Sequence, residues 1–380
     1  MFPIRKVFTE LTVEQANQLV ESMGESAYRA KQLRKWVYQN VALSFDEMTD
    51  LQLVFRQRLT KELKLHTMEP VQRVTGKDGT LKVLFKLTDG KTIESALMYY
   101  EGGGGGERRT VCVSTQVGCA VGCTFCATGQ QGFERNLTPG EIIDQVLFFA
   151  RYLREQDSDN KSPKRKAEHI SNVVFMGMGE PLANYDNLWQ AIEMLNSPEG
   201  FGLGARNMVI STAGLVPQIK RLAKEKLQVG LAVSLHASDN ELRNKLVPIN
   251  RKYPLEQLIP ACQEYIRLTG RRLSFEYTLF NSINDSIGQA RAMAALIKRL
   301  KCHVNLIPAN FTDNPSCQPP PRRVILAFES ELKQAGVNVT LRERRGQDID
   351  AGCGQLRSRF LKTTQAASKS TRLEKVKNES

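Results

Sequence analysis

The sequence predicts an α/β protein whose main part is a partial barrel of six β/α units. Between residues 111 and 341, apolar runs of the kind that form buried parallel strands alternate with amphipathic stretches typical of helices. Ahead of this region, residues 1–66 have helical periodicity, and residues 69–100 alternate with the period of two that is typical of β-strands. A doubly wound parallel sheet would produce the same succession of strands and helices, so that architecture remains an alternative.

Local signals near the N-terminus predict a small helical segment followed by an antiparallel sheet. Thr12 and Gln15 have the spacing of a capping box directly before an amphipathic stretch. Further on, Asp78-Gly79 and Asp89-Gly90 are turn dipeptides that border a segment of alternating apolar and polar residues. We therefore expect helices first and a β-hairpin second.

The chain divides into three predicted parts. Residues 1–100 would form a helical and β-hairpin accessory domain, and its basic residues suggest RNA recognition, although a basic helix face is most often simply solvated. Residues 101–357 would form the core domain. The glycine run at residues 102–106, near the start of this range, would be a flexible joint to the accessory domain. Residues 358–380 are basic and poor in large apolar side chains, which predicts a disordered tail.

Apolar runs mark the expected parallel strands of the core. They are Val111–Val113, Val173–Met176, Met208–Ile210, Leu231–Leu235, Leu273–Leu279 and Val304–Ile307. After the first of them, Thr138 and Glu141 form a second capping box, with Pro139 at the first helical position. This signal predicts a helix from that point to about Leu153.

Composition narrows the class of protein. The chain has 380 residues, a formal net charge of +13 and a pI near 9.4, which favour a polyanionic partner. It contains no apolar run long enough to cross a bilayer and no signal-peptide pattern at its start, so a cytoplasmic location without membrane contact is expected. Eight cysteines in such a protein indicate metal binding or catalysis rather than a disulfide framework.

Three cysteines with the spacing C-x3-C-x2-C form the most informative motif. Cys119, Cys123 and Cys126 follow an apolar run and lie in a stretch with two glycines, which indicates a loop after a strand. Three local thiolates can bind three irons of a [4Fe–4S] cluster and leave the fourth iron open to another ligand. The alternative is a zinc site in which Cys112 or a distant residue supplies the fourth ligand.

Further motifs extend the pattern along the chain. Gly177-Met178-Gly179-Glu180-Pro181 follows the second apolar run, and Cys353 stands between two glycines in the stretch Asp348–Leu356. Together with the cysteine triplet, Gln130–Phe133 and Ser234–His236, these motifs resemble the bacterial radical S-adenosylmethionine (SAM) 23S rRNA (adenine-C2) methyltransferases, the RlmN family, which is related to the Cfr enzymes. The resemblance covers nearly the whole chain and implies that the core is a partial (β/α)6 radical SAM barrel.

The resemblance assigns residues to the cofactors. It implies that Cys119, Cys123 and Cys126 bind one [4Fe–4S] cluster and that two SAM molecules are used in each turnover. From the residues alone, a lone Ser or Asn at a strand end is more often a turn residue, and His236 could equally be a packed histidine. The SAM-binding positions that the resemblance implies are Gly179, Glu180, Ser211, Ser234, Leu235, His236 and Asn310.

The remaining implied roles concern methyl transfer. In the family the methyl is first placed on a cysteine, which by motif position is Cys353, and Glu94 would accept the proton that leaves the adenine. Cys112 would then resolve the adduct and form a disulfide with Cys353. Without the resemblance, Cys112 would be interpreted as a buried strand residue and Glu94 as a solvent-facing carboxylate on a strand.

The implied activity is formation of 2-methyladenosine in 23S rRNA and in tRNA next to the anticodon, by a monomer that receives electrons from a flavodoxin or ferredoxin. Carbon 2 of adenine lies between two ring nitrogens and is electron-poor, so addition of a carbon radical suits it better than attack on an electrophilic methyl. The closest alternative is Cfr-like methylation of carbon 8 with the same cysteines. An alternative of another class is a zinc-dependent RNA-binding module without catalysis.

Overall fold

A ten-stranded mixed sheet organises the molecule, and the candidate residues Glu94, Cys112, Ser211 and Ser234 lie on its strands. The computed structural model describes residues 6–100, 107–159, 169–309, 317–342, 349 and 354–361. Two short pairs, β1 with β2 and β7 with β8, lie outside the large sheet. In chain order the strands are β1 (Lys6–Val7), β2 (Leu63–Lys64), β3 (Met68–Thr75), β4 (Leu81–Leu87), β5 (Thr92–Tyr100), β6 (Arg108–Cys112), β7 (Gln116–Gly118), β8 (Phe133–Asn136), β9 (Asn172–Phe175), β10 (Met208–Thr212), β11 (Gly230–Ser234), β12 (Leu273–Leu279), β13 (Cys302–Pro308) and β14 (Val339–Leu341).

Two helices begin with the capping boxes that the sequence predicts. At the first helix of the chain, the hydroxyl of Thr12 accepts a hydrogen bond from the Gln15 backbone N–H (3.2 Å), and Thr138 and Glu141 cap the fifth in the same reciprocal way. Both predicted capping boxes are confirmed. Within the described ranges, no helix is long and apolar enough to span a membrane. In chain order the helices are α1 (Val13–Ser22), α2 (Ala27–Arg34), α3 (Leu53–Glu62), α4 (Ala127–Gln130), α5 (Pro139–Asp159), α6 (Tyr185–Asn196), α7 (Val216–Leu222), α8 (Asn240–Leu246), α9 (Leu255–Thr269), α10 (Ile287–Ile297) and α11 (Arg322–Gln334).

The strand order distinguishes the two architectures that the sequence left open. The sheet has the order β14-β13-β12-β11-β10-β9-β6-β5-β4-β3. From β6 and β9 through β14 the strands pair in parallel in chain order, without the reversal that defines a doubly wound sheet. A helix follows each of the six parallel strands β6, β9, β10, β11, β12 and β13. The predicted partial (β/α)6 barrel is therefore confirmed. Strand β14 was not predicted, since three residues give too short a pattern to recognise.

The hairpin strands belong to the same sheet as the barrel. Strand β5 pairs antiparallel with β6 in a register that sets Ala96 opposite Cys112. The sheet therefore continues across the predicted boundary at residue 100, and it brings Glu94 and Cys112 onto neighbouring strands. The glycine run at residues 102–106, which was predicted to be a flexible joint, lies outside the described residues.

A buried carboxylate joins the N-terminal helical region to the core. Asp144 on α5 accepts hydrogen bonds from the backbone N–H of Thr67 (2.6 Å), the Thr67 hydroxyl (2.7 Å) and the Thr9 hydroxyl (3.0 Å). Its other oxygen lies 3.2 Å from His66 Nδ1. These bonds hold both ends of the N-terminal helical region against the same core helix.

Removing this acceptor should therefore loosen the docking of the N-terminal region. We expect Asp144→Ala to lower the free energy of unfolding by about 3 kcal/mol or more, because buried donors of Thr9 and Thr67 lose their partner. Urea denaturation followed by circular dichroism measures the loss. Asp144→Asn, which retains one acceptor oxygen, should lose only about 1 kcal/mol. Unchanged stability of Asp144→Ala would contradict this account of the junction.

Candidate active site

The three motif cysteines lie between β7 and α4, in a segment that we term the cysteine loop (residues 119–126). Antiparallel pairing of β7 with β8 closes this loop at its base. Gly118 has a φ of +76°, and a Cβ at this position would lie 1.9 Å from the Gly132 carbonyl oxygen, so the closure requires glycine. Cys126 is the N-cap residue of α4. The motif thus folds as a tight turn that leads into a helix.

The chemistry of these thiols fits a bound iron–sulfur cluster. All three are free and half-buried. Burial raises the pKa of Cys119 to about 12 and raises the pKa of Cys123, and the negative charge of Glu180 acts in the same direction on both. Thiols in such surroundings ionise when a metal centre takes up the thiolates. Among the described residues no three His, Cys, Asp or Glu side chains converge on one metal ion, but a cluster needs no such convergence because each thiolate binds a different iron.

Aromatic packing holds the cysteine loop against the carboxyl ends of the parallel strands. The ring of Phe125 makes an edge-on contact with His236 (centroids 4.9 Å apart) and lies 5.1 Å from the ring of Phe280. The backbone N–H of Thr124 donates to the Leu246 carbonyl (3.2 Å) at the end of α8. Barrel enzymes place their sites at this edge of the sheet, so the loop lies where a reaction would be expected.

Gly179 and Glu180 follow β9 at the same edge. A Cβ on Gly179, which has a φ of +104°, would lie 2.6 Å from Gln116 Cβ, so the backbone here approaches β7 too closely for any side chain. The two carboxylate oxygens of Glu180 accept backbone hydrogen bonds from Leu182 (3.0 Å) and Ala213 (2.7 Å). Burial raises the pKa of this carboxyl to about 7. The side chain of Glu180 therefore holds its loop to the end of β10 through contacts within the protein.

The other candidate SAM positions in the described chain lie at the ends of β10 and β11. Ser211 and Ser234 are half-buried and Leu235 is buried. His236 is buried too, and its Nδ1 accepts a hydrogen bond from the backbone N–H of Thr278 (3.0 Å). Burial lowers the pKa of His236 to about 3, and the nearby charge of Arg243 adds to this effect. The side chain is thus buried and neutral, and its role toward SAM stays a prediction.

A buried arginine that no sequence motif indicated fixes these strand ends. Arg243 on α8 donates hydrogen bonds to the carbonyl oxygens of Ala213 (2.7 Å), Ser234 (3.1 Å) and Leu235 (3.1 Å). Burial lowers the pKa of Arg243 to about 10, so the guanidinium stays charged at neutral pH. The available sequence signal is an arginine on a short helix, and a single sequence does not distinguish that from a solvated charge.

The predicted proton acceptor is enclosed by hydrogen-bond donors. Glu94 is 3% exposed, so the interpretation of this residue as a solvent-facing carboxylate is wrong. Lys82 Nζ lies 2.7 Å from Glu94 Oε2, and the backbone N–H of Gly354 donates to the same oxygen (3.0 Å). The backbone N–H of Arg357 donates to Oε1. The sequence could not indicate this burial, because the covering residue Gly354 is 260 positions away along the chain.

The C-terminal segment connects Glu94 to the cysteine loop. Gly354, which has a φ of +78°, lies so close to α4 that a Cβ would be 2.5 Å from Thr128 Oγ1. Arg357 donates hydrogen bonds to Gln131 and Glu134, just beyond α4. The residue that follows Cys353 in the chain therefore lies between the carboxylate of Glu94 and the helix that begins at Cys126.

Regular structure extends into the segment that was predicted to be a disordered tail. Residues 355–361 are helical, so regular structure continues past residue 358, where the disordered tail was predicted to begin. Cys353, Asn310 and the tail residues 362–380 lie outside the described residues.

Cys112 ends β6, on the strand beside Glu94. Its thiol is half-buried, and burial raises its pKa to about 11, although the positive charges of Arg342 and Lys82 act to lower it. In this conformation the thiol is therefore protonated at neutral pH. A resolving role needs the thiolate, so it requires a change in the surroundings of this sulfur or a base close to it.

Two family models match the chain. Residues 8–65 match the ribosomal RNA large subunit methyltransferase N-terminal domain, and residues 113–293 match the radical SAM superfamily. A crystal structure of a radical SAM methyltransferase from Sphaerobacter thermophilus has a TM-score of 0.86 and 44% identity, covering 92% of this chain and 98% of that one. Fold and site thus define a radical SAM enzyme, as the cysteine motif predicted.

Relatives identify the family within this class. The probable dual-specificity RNA methyltransferase RlmN of Geobacillus kaustophilus is 44% identical over 95% of this chain and 94% of its own length. The corresponding protein of Desulfitobacterium hafniense is 44% identical over 92% of this chain and 95% of its own length. The chain belongs to the RlmN family of RNA methyltransferases, which confirms the resemblance. The alternative of a non-catalytic zinc module and that of a Cfr-like carbon-8 enzyme are not favoured.

The raised pKa of Cys112 predicts how fast this thiol reacts at different pH. Because the thiol is protonated below about pH 11, the thiolate fraction and the alkylation rate should rise about tenfold with each pH unit between about pH 7 and pH 10. Iodoacetamide pulses followed by mass analysis of the peptide containing Cys112 measure this rate. In the urea-unfolded chain the same peptide should level off near the ordinary thiol pKa of about 8.5. A native rate that also levels off near pH 8.5 would contradict the assigned environment.

Proposed function

We propose that this enzyme forms 2-methyladenosine in 23S rRNA and in tRNA at the adenosine next to the anticodon. The observation that carries the proposal is the contact of Gly354 with both the Glu94 carboxylate and α4. This contact supports a single site, because Gly354 directly follows Cys353 in the chain and touches both the proposed proton acceptor and the helix after the cysteine loop. The RlmN name of the relatives supports carbon 2 as the atom that is methylated.

The cofactor roles follow from the residues at the carboxyl edge of the sheet. Cys119, Cys123 and Cys126 would hold one [4Fe–4S] cluster, which with SAM supplies the hydrogen-abstracting radical. Two SAM molecules would be used in each turnover, with the electron supplied by a flavodoxin or ferredoxin. The residues proposed to line the SAM site are Gly179, Glu180, Ser211, Ser234, Leu235, His236 and Asn310.

Three residues would carry the methyl transfer. Cys353 would carry the methyl carbon as an S-methyl group, and this carbon would become bonded to carbon 2 of the adenine. Glu94 would take the proton from carbon 2, for which the donors Gly354 and Arg357 must first move away, because their backbone N–H groups occupy both carboxylate oxygens. The Cys112 thiolate would then attack the Cys353 sulfur and form a disulfide as the bond from this sulfur to the methylene carbon breaks. The carbon would keep the electron pair and take up a proton, which completes the methyl group on the released RNA.

The N-terminal residues 1–100 are proposed to contribute to RNA recognition. On and just after α2, Tyr28, Lys31 and Lys35 are exposed, which supplies an aromatic ring and two positive charges to one helical region. Phosphates attract the positive charges, and an aromatic ring can stack on an unpaired base. We also propose that residues 101–357 form the catalytic domain and that the enzyme acts as a cytoplasmic monomer.

The cluster ligands can be tested by iron content. We expect Cys123→Ala, reconstituted without oxygen, to lose most of its iron and all cleavage of SAM, because two thiolates remain for a cluster that needs three. Iron analysis and the brown absorbance of the cluster measure the first effect. Cys262→Ala, in which a buried cysteine of α9 is replaced, is the matched control and should retain both. Full iron content in Cys123→Ala would exclude its role as a ligand.

The two separate cysteines can be tested by the products that accumulate. Cys353→Ala has no sulfur for the methyl and should form no covalent adduct with RNA. Cys112→Ala should still add the methylene carbon of Cys353 to the adenine and then stall, so RNA remains attached to the protein. Denaturing gels of each variant purified from cells, with and without ribonuclease, distinguish these outcomes. An adduct on Cys353→Ala, or none on Cys112→Ala, would show that the roles are wrong.

A further inference from the structure

Strand β12 carries a carboxylate into the interior of the barrel. Phe275 and Tyr277 on this strand are buried in the apolar core. Because successive side chains of a strand point to opposite faces, Glu276 between them faces the inner side of the sheet. It is only 4% exposed. No motif pointed to this residue, and it has no part in the function proposed above.

One oxygen of this carboxylate accepts no hydrogen bond from the part of the chain that the structure describes. Glu276 Oε1 accepts a hydrogen bond from Asn305 Nδ2 (2.8 Å), whereas Oε2 has none among the described residues. The Arg342 guanidinium, which donates to the Tyr100 hydroxyl (3.3 Å), comes within 3.8 Å of Oε2, too far for a hydrogen bond. A buried polar atom without a hydrogen-bond partner costs free energy, and a ligand that pairs with this oxygen removes that cost.

The register of the sheet gives the neighbours of this oxygen. Glu276 is paired with Ser234 on one side and with Asn305 on the other. Paired residues of adjacent parallel strands lie on the same face about 5 Å apart. Glu276 is therefore the direct neighbour of a proposed SAM-binding position, and both face the interior of the barrel.

We propose that Glu276 Oε2 binds a ribose hydroxyl of an adenosine that occupies the barrel. A hydroxyl both donates and accepts hydrogen bonds, so it can pair with this oxygen whether the carboxyl is ionised or protonated. Asn305 and Arg342 orient the carboxyl for this contact. The inference rests on the proposed function, in which two adenosines enter the barrel: the adenosyl part of SAM and the target nucleotide of the RNA.

The first experiment tests whether the hydroxyl belongs to the adenosyl part of SAM. It is a double-mutant cycle that removes a hydroxyl of the ligand, the carboxylate of the protein, or both. S-Adenosylhomocysteine and its 2′-deoxy and 3′-deoxy analogues are titrated calorimetrically into iron-loaded native protein and into Glu276→Ala, without oxygen. If the hydroxyl belongs to the cofactor, one deoxy analogue should bind the native chain about tenfold to a hundredfold more weakly. Glu276→Ala should bind all three ligands alike, at the weaker affinity.

The second experiment tests whether the hydroxyl belongs to the target nucleotide of the RNA, by the same comparison of ligands with and without the hydroxyl. An anticodon stem-loop with adenosine next to the anticodon, and one with 2′-deoxyadenosine there, are titrated by fluorescence anisotropy. If the hydroxyl belongs to the target nucleotide, the native chain should discriminate between them about tenfold or more, and Glu276→Ala should not. Coupling in either arm supports the inference and identifies the source.

Two further variants separate binding from folding. Glu276→Gln keeps the acceptor for Asn305 and a polar group at the position of Oε2, so it should retain affinity within a few-fold of the native chain. Ser274 lies two residues before Glu276 on the same face of β12, farther from the carboxyl end of the strand. Ser274→Ala should therefore bind all the ligands as the native chain does. Absence of coupling in both arms, with normal melting temperatures, means that Oε2 pairs with a buried water only and overturns the inference. Failure of the native chain to make 2-methyladenosine would overturn the proposed function instead, and the cofactor arm would still be informative.

Discussion

The hydrogen-bonded carboxylate of Glu94 is the interaction on which the arrangement of the site depends. A charge enclosed by protein needs partners, and Glu94 finds them in Lys82 on the neighbouring strand and in the backbone of Gly354 and Arg357. Two of these partners come from the far end of the chain. The same carboxylate therefore fixes the C-terminal segment across the sheet edge, beside the helix that begins at Cys126.

That position of Glu94 is possible because the hairpin and the barrel share one sheet. The antiparallel pairing of β5 with β6 extends the parallel strands by three more, so a residue of the N-terminal part lies next to the first barrel strand. The order of the remaining strands then brings the ends of β9, β10 and β11 to the edge where the cysteine loop packs. Buried Arg243 holds two of those ends together through their carbonyl oxygens.

Three of the ionisable side chains that are buried in this barrel differ in how many of their polar atoms are hydrogen-bonded. Arg243 donates to several carbonyl oxygens, Glu180 accepts two backbone hydrogen bonds, and one oxygen of Glu276 accepts no hydrogen bond from any described residue. Fully paired groups rigidify the strand ends, whereas an unpaired one remains available to a ligand. Glu180 thus holds its own loop in place beside the proposed SAM site, whereas Glu276 Oε2 can pair directly with a hydroxyl of a ligand.

The sequence alone determined the class of this protein, because its signals are local. Cysteine spacing, capping boxes such as that of Thr12 and Gln15, and apolar runs each act within a few residues, and both capping boxes and the six parallel strands formed where the sequence predicted them. The family resemblance assigned a role to Glu94, whereas its strand position alone suggested an exposed carboxylate, and the sequence gave no indication of Lys82, Arg243 or Glu276. Only the tertiary structure decided those, since burial and pairing depend on strand order and register, and these bring together residues as far apart as Glu94 and Gly354.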